Sequence, residues 1–126
     1  KAVLEGVVFE MEVIKRTAEA AVGRKIQRIA ASGGGTHLQA WMQLKADVSG
    51  CEIALLPTPE ASLLGAALLA GLGSGKYQDE AEAFKGLSNQ EVKIIQPQPD
   101  RHEAYRRIFE ERYTHAASNY NLSTSL

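Results

Sequence analysis

Apolar residues in the first 22 positions recur at three- and four-residue steps: Leu4, Val7, Val8, Met11, Ile14, Ala18 and Ala21. That spacing puts them on one helical face and predicts a helix over 1–22 with the stripe against a core. Gly23 is the stop, since glycine tolerates the left-handed cap. Ile26 to Ala31 is short and rich in branched apolar residues, which predicts a strand. Ser32-Gly33-Gly34-Gly35 ends it. Trp41, Met42, Leu44 and Val48 predict a second helix from Thr36 to about Val48, closed by Gly50. Cys51 to Leu56 is an apolar run of strand length. Thr58-Pro59-Glu60 then signals a helix start, with a hydroxyl at the cap, proline in the first turn and acid at the positive end of the dipole. Ala61 to Leu72 is apolar nearly all round, so this third helix is expected to be buried on more than one side.

Gly71, Gly73 and Gly75 predict a loop, and Gln78 to Phe84 a short amphipathic helix. Residues 86–99 read mostly as loop, with Val92 to Ile95 extended. Asp100 and Glu103 resemble a capping box with Asp as the cap. The last helix carries Tyr105, Ile108, Phe109, Arg112 and Tyr113 at helical spacing. A single unit over 1–117 is expected, with 118–126 a polar, frayed tail. The order α-β-α-β-α predicts an α/β fold, helix-rich, with two short parallel strands joined by crossover helices. Two strands make a poor sheet alone. Their edges are therefore expected to be sheltered by sequence outside this chain or by a homo-oligomer. The chain also starts at Lys1, straight inside a helical pattern, as a piece of a longer protein would.

Composition narrows the function classes. A chain of 126 residues holds one domain, and 44% apolar with 23% charged residues is globular usage. A net charge of −1 argues against a nucleic-acid clamp. The single cysteine, Cys51, rules out an internal disulfide and a multi-thiolate metal site, and fits a reducing cytoplasm. No membrane-spanning run is expected: the nearest, Ile53 to Leu72, is broken by Pro57, Pro59 and Glu60. No secretion signal is visible.

The strongest chemical feature is the strand-glycine-helix junction from Ile26 to Trp41. Three glycines allow a sharp turn and let a ligand approach the main chain. The following helix points unpaired N–H groups into the same space, where phosphate or ribose-phosphate would sit well. The plain alternative is a tight turn that binds nothing. It is not a dinucleotide fingerprint, because Leu38 fills the third glycine position. Gly75-Lys76 mimics a phosphate loop, but Tyr77 replaces the hydroxyl residue and a helix precedes it, so it reads as a turn. His37, His102 and His115 lack zinc-helix spacing and read as exposed helix-surface residues. Cys51 reads as a buried packing residue, and Trp41 as a core residue. Arg101, Arg106, Arg107 and Arg112, interleaved with Glu103, Glu110 and Glu111, read as a solvated face of ion pairs.

Several motifs together resemble the C-terminal domain of the FGGY carbohydrate kinases. They are Leu4-Glu5-Gly6-Val7-Val8-Phe9, Ser32-Gly33-Gly34-Gly35-Thr36, Trp41 with Ala46-Asp47-Val48, and Glu60-Ala61-Ser62-Leu63-Leu64-Gly65-Ala66-Ala67. The likeness runs from Lys1 to about Gly73, and the helix from Asp100 to Tyr113 is similar to the terminal helix of xylulose-kinase-like members. It implies a partial actin-like, ribonuclease-H-like ATPase fold in a cytoplasmic enzyme that moves the γ-phosphoryl group of MgATP to a sugar or polyol hydroxyl. It assigns Gly33, Gly34, Gly35 and Thr36 to the adenosine site. Family members carry Asn or Ser near Leu38 to contact adenine; Leu38 cannot hydrogen-bond, so the contact is expected from Gln39. The catalytic base, the sugar site and the phosphate motifs lie outside this chain in the family. No catalytic and no metal-binding residue is therefore expected here, and the isolated chain is expected to be inactive. ATP, Mg²⁺ and a small sugar or polyol, engaged through the N-terminal domain, are the expected ligands; nucleic acid and membrane are not expected partners. The alternative is a non-catalytic actin-like module that senses nucleotide or mediates association.

Overall fold

The computed structural model describes residues 1–58, 60–85 and 91–115. Helix α1 spans Ala2–Val22 and ends at Gly23, whose φ of 69° is the left-handed cap expected there. Strand β1 is Arg28–Ala31. A single tight 3₁₀ turn, Gly34–His37, separates it from α2, Gln39–Ser49. The second helix thus begins three residues later than expected, because the backbone breaks at Leu38 (φ −87°, ψ 85°). Gly50 caps α2 at φ 65°. Strand β2, Glu52–Leu55, runs parallel to β1, with Arg28 opposite Glu52 and Ala31 opposite Leu55.

The sheet holds a third strand beyond the two expected. Strand β3, Lys93–Ile95, lies antiparallel to β2 and gives the order β1-β2-β3. It falls inside the stretch expected to be extended from Val92 to Ile95. Between β2 and β3 come α3, Ala61–Gly73, and α4, Glu80–Phe84. Asp79 caps α4, accepting the Glu82 N–H at 2.8 Å. Helix α5, Pro99–Ile108, continues through a wide π-turn at Phe109–Tyr113. The tail expected to fray, 118–126, lies outside the described residues.

Helix α2 is the keystone. Met42 and Ala46, one turn apart, pack on the sheet with Ile53, Ile29, Ala31, Leu55 and Ile95. Leu44 and Val48, on another face, join Val8, Phe9 and Phe109, with Met11, Tyr105 and Tyr113 around them. Phe9 meets Phe109 and Tyr113 at centroid separations of 5.8 and 5.0 Å, within the favourable range for tilted rings. Trp41 touches both clusters.

Two expectations about buried faces fail. Helix α1 buries only part of the stripe read from its sequence: Val8 is buried and Met11 and Ala18 half-buried, but Val7 and Ile14 are exposed, and the packed face also carries Phe9, Glu12 and Glu19. The carboxylates can be buried because each has partners. Glu12 accepts from Arg16 at 2.8 Å and pairs with Lys15 at 3.2 Å. Glu19 accepts the Ile26 N–H at 2.9 Å and pairs with Lys25 at 3.0 Å. Helix α3 is the second failure. Only Leu68 and Gly71 are buried, Leu63 and Leu69 are 69% and 71% exposed, and its main neighbour is α4. Its start also differs: Glu60 is the cap residue without a side-chain cap bond, Thr58 does not cap, and Pro59 lies outside the described residues.

Candidate functional site

Parallel β1 and β2 give the sheet two unlike edges. At their C-terminal edge β1 runs into the glycine turn. Gly33 sits at φ 95°, a backbone that L side chains rarely adopt. Its carbonyl accepts both the Thr36 N–H at 3.0 Å and the Thr36 hydroxyl at 2.8 Å, which closes the turn. Gly35 accepts from Leu38 N–H at 3.2 Å. The N–H groups of Gly34 and Gly35 open the 3₁₀ turn, where no carbonyl of the turn itself can pair with them. Both glycines are exposed, as are His37, Leu38 and Gln39. Gly34, Gly35 and Gln39 are thus open to solvent, Gly33 and Thr36 are half-buried, and Gln39 is the first residue of α2.

The three glycines differ in what demands them. Gly33 is required by its positive φ. A Cβ at Gly35 would stand 3.1 Å from the Trp41 ring. Gly34 has neither constraint: its φ is not positive, and a Cβ there would meet nothing within 4 Å. Space in front of the main chain is therefore open at Gly34.

The N-terminal edge is built oppositely. A groove of about 860 Å³ lies there, lined among others by Glu12, Lys15, Glu19, Lys25, Cys51 and His102. Its charges are engaged with one another. Besides the Glu12 and Glu19 pairs, Lys15 donates to the Ser49 carbonyl at 2.8 Å, at the negative end of the α2 dipole. The Ile26 N–H and Lys25 hold the Glu19 carboxyl below its ordinary value, in that order of weight. Cys51 is buried and donates to the Ile26 carbonyl at 2.9 Å, and burial raises its thiol pKa. It is a packing residue, as expected. The glycine turn follows the carboxyl end of β1, and this groove lies at the opposite end of the strand pair.

Asp47 is fully buried beside this N-terminal edge. Its Oδ1 accepts from Gln43 at 2.9 Å and from the Gln98 N–H at 2.9 Å, and Oδ2 pairs with Arg101 at 3.0 Å. Gln98 is the cap residue of α5. A carboxylate from another helix thus neutralises the positive end of α5, and the Asp100 cap expected from the sequence does not form. Asp47 serves the fold. His102 also departs from expectation: its Nδ1 lies 2.8 Å from the Asp47 carbonyl, and its ring covers Gly50. Arg106 does pair on the surface with Glu103 and Glu110, at 2.7 and 2.9 Å. Gly75, at φ 76°, lies in the turn after α3, where the Lys76 N–H bonds the Gly71 carbonyl. Among the described residues no three His, Cys, Asp or Glu converge as a metal site, and no helix is long and apolar enough to cross a membrane.

Sequence reasoning missed Asp47 as a cap and Trp41 as the floor of the turn. The first had no local signal, since its partner lies 51 residues away. The second had one: Gly35 and Trp41 are six positions apart across a helix start.

Residues 1–74 match the model of the FGGY family of carbohydrate kinases, C-terminal domain. The chain is 36% identical over 116 residues to L-xylulose/3-keto-L-gulonate kinase of Escherichia coli (strain K12), covering 91% of this chain and 22% of that protein. It is 28% identical over 130 residues to xylulose kinase of Bacillus subtilis (strain 168), covering 100% of this chain and 25% of that protein. The crystal structure of ligand-bound xylulose kinase from Lactobacillus acidophilus superposes with a TM-score of 0.70 at 25% identity, over 98% of this chain and 24% of that one. The chain therefore spans about a quarter of the length of the relatives it matches. Its partial actin-like fold and the matched domain agree, and the chain belongs to the FGGY family of carbohydrate kinases.

Proposed function

We propose that this chain forms the adenosine-side wall of a cytoplasmic, ATP-dependent kinase that phosphorylates a sugar or polyol hydroxyl. Gly34 is the observation that carries the reading. Among the described residues nothing requires glycine there, neither backbone strain nor a neighbouring atom. A ligand lying against the main chain does require it. In this reading the N–H groups of Gly34 and Gly35 donate to ribose or phosphate oxygens, and Thr36 holds the turn closed through Gly33. The Gln39 amide, which both donates and accepts, meets the purine edge in place of Leu38. ATP, arriving as its Mg²⁺ complex, supplies the phosphoryl group. Phosphoryl transfer depends on positioning nucleotide, metal and hydroxyl together, and this chain provides one wall of that arrangement. The base, the metal ligands and the sugar pocket are contributed by the rest of the protein.

The exposed apolar residues support the same reading. Val3, Val7 and Ile14 on α1, and Leu63 and Leu69 on α3, present surface that a complete kinase covers. Gly6 and Gly65, mid-helix with open space at Cβ, permit close approach there. The test is ADP production by the full-length protein with MgATP and a panel of pentuloses, hexuloses, polyols and aldonates. Turnover with one member is the expected result, and none from the isolated 126-residue chain. No turnover with any member, together with no ATP binding, would leave a non-catalytic module.

A further inference from the structure

We infer that Trp41 is a positioning residue for the nucleotide: its indole ring sets the height of the Gly34–Gly35 segment above α2. The inference rests on the glycine turn being the adenosine wall. Trp41 is the third residue of α2, in its first turn, and its ring atoms approach the Gly35 backbone so closely that a methyl there would be 3.1 and 3.6 Å from them. On its other sides the ring joins both apolar clusters, the one on the sheet and the one against α1 and α5. The Lys45 ammonium covers it at 4.5 Å from the centroid. Its backbone N–H bonds the Leu38 carbonyl at 2.9 Å, so the residue is tied to the break between turn and helix as well. Its indole N–H is buried without a hydrogen-bond partner among the described residues, so no side-chain hydrogen bond fixes the ring there. The open turn has few contacts of its own. Its own hydrogen bonds close it, and the Trp41 ring is the core side chain that stands against Gly35.

Two consequences distinguish positioning from general packing. Shrinking the ring should loosen the turn, so that nucleotide binding suffers more than catalysis. Gly35 and Trp41 should also be coupled, because a methyl at Gly35 pushes on a ring that a smaller side chain would withdraw. The experiment is a double-mutant cycle of Gly35→Ala and Trp41→Phe in the full-length protein, with Trp41→Leu as a third variant. KM for ATP, kcat and Tm are measured for each. Trp41→Leu is expected to raise KM for ATP about three- to tenfold, more than it changes kcat, and Trp41→Phe less. Gly35→Ala should raise KM for ATP in the wild-type background and by at least about twofold less beside Trp41→Phe. Additive effects on KM, or variants that lower Tm and leave KM for ATP unmoved, would overturn the inference. Gly34→Val separates this from failure of the underlying reading. If it too leaves ATP affinity unmoved, the turn is not the nucleotide wall; if it weakens ATP while the cycle is additive, the wall stands and Trp41 does not position it.

Discussion

The two edges of the parallel strand pair have been shaped by different demands. At the N-terminal edge every buried charge has a partner: Glu12, Lys15, Glu19 and Asp47 are held by groups from α1, α2, α5 and the approach to β1. At the C-terminal edge the backbone is left open, and Gly34 and Gly35 face solvent with their amides uncommitted within the turn. The groove of about 860 Å³ is at the locked edge, whereas the nucleotide is proposed at the open one. Cavity size alone would select the locked edge rather than the one proposed for the nucleotide. What separates them is whether polar groups are already satisfied.

The sharpest way to break this contrast is Asp47→Ala. It leaves the Gln98 N–H and Arg101 without their carboxylate beside the α5 N-terminus. The expected cost is about 3 kcal/mol of stability, read by urea denaturation, with no selective change in nucleotide affinity per folded molecule. Gly50→Ala strikes the same edge less hard. Its φ is positive, and the new methyl would meet the His102 ring at 2.6 Å. A loss of about 2 kcal/mol is expected, seen as a lower Tm with KM for ATP unchanged. At the open edge Gly34→Val should do the reverse. ATP affinity should fall about tenfold or more while Tm shifts by no more than a few degrees, since the side chain enters empty space.

The smallest effect is pH dependence at Glu19. Its folded pKa lies below the ordinary 4.5, first through the Ile26 N–H and then through Lys25. The stability it contributes is therefore present above pH 4.5 and is lost as pH falls towards the folded value. Glu19→Gln should flatten that part of the acid limb of Tm against pH. An unaltered limb would show that this carboxylate does not lock the edge.

Much of this was legible in the chain. Gly23 and Gly50 marked helix ends because only a left-handed cap suits them, and the glycine turn marked the end of β1. The buried face of α1 was only partly legible. Charge normally marks solvent, but Glu12 and Glu19 enter the core with partners that no local pattern reveals. The apolar all-round character of α3 was real, yet burial needs a neighbour, and the described residues supply chiefly α4. Strand β3 was legible as an extended stretch within Val92 to Ile95, but its pairing with β2 spans about 40 positions and left no local signal. The turn itself was visible as three glycines, whereas the positive φ at Gly33, the Trp41 ring against Gly35 and the open space at Gly34 became visible only in the structure.

The most direct test is amide hydrogen exchange of the full-length protein with and without MgATP. Protection is expected to rise at residues 33–39 and to stay level at residues 23–27 and 49–52. Protection confined to the second set, around the charged groove, would contradict the assignment of the nucleotide to the open edge.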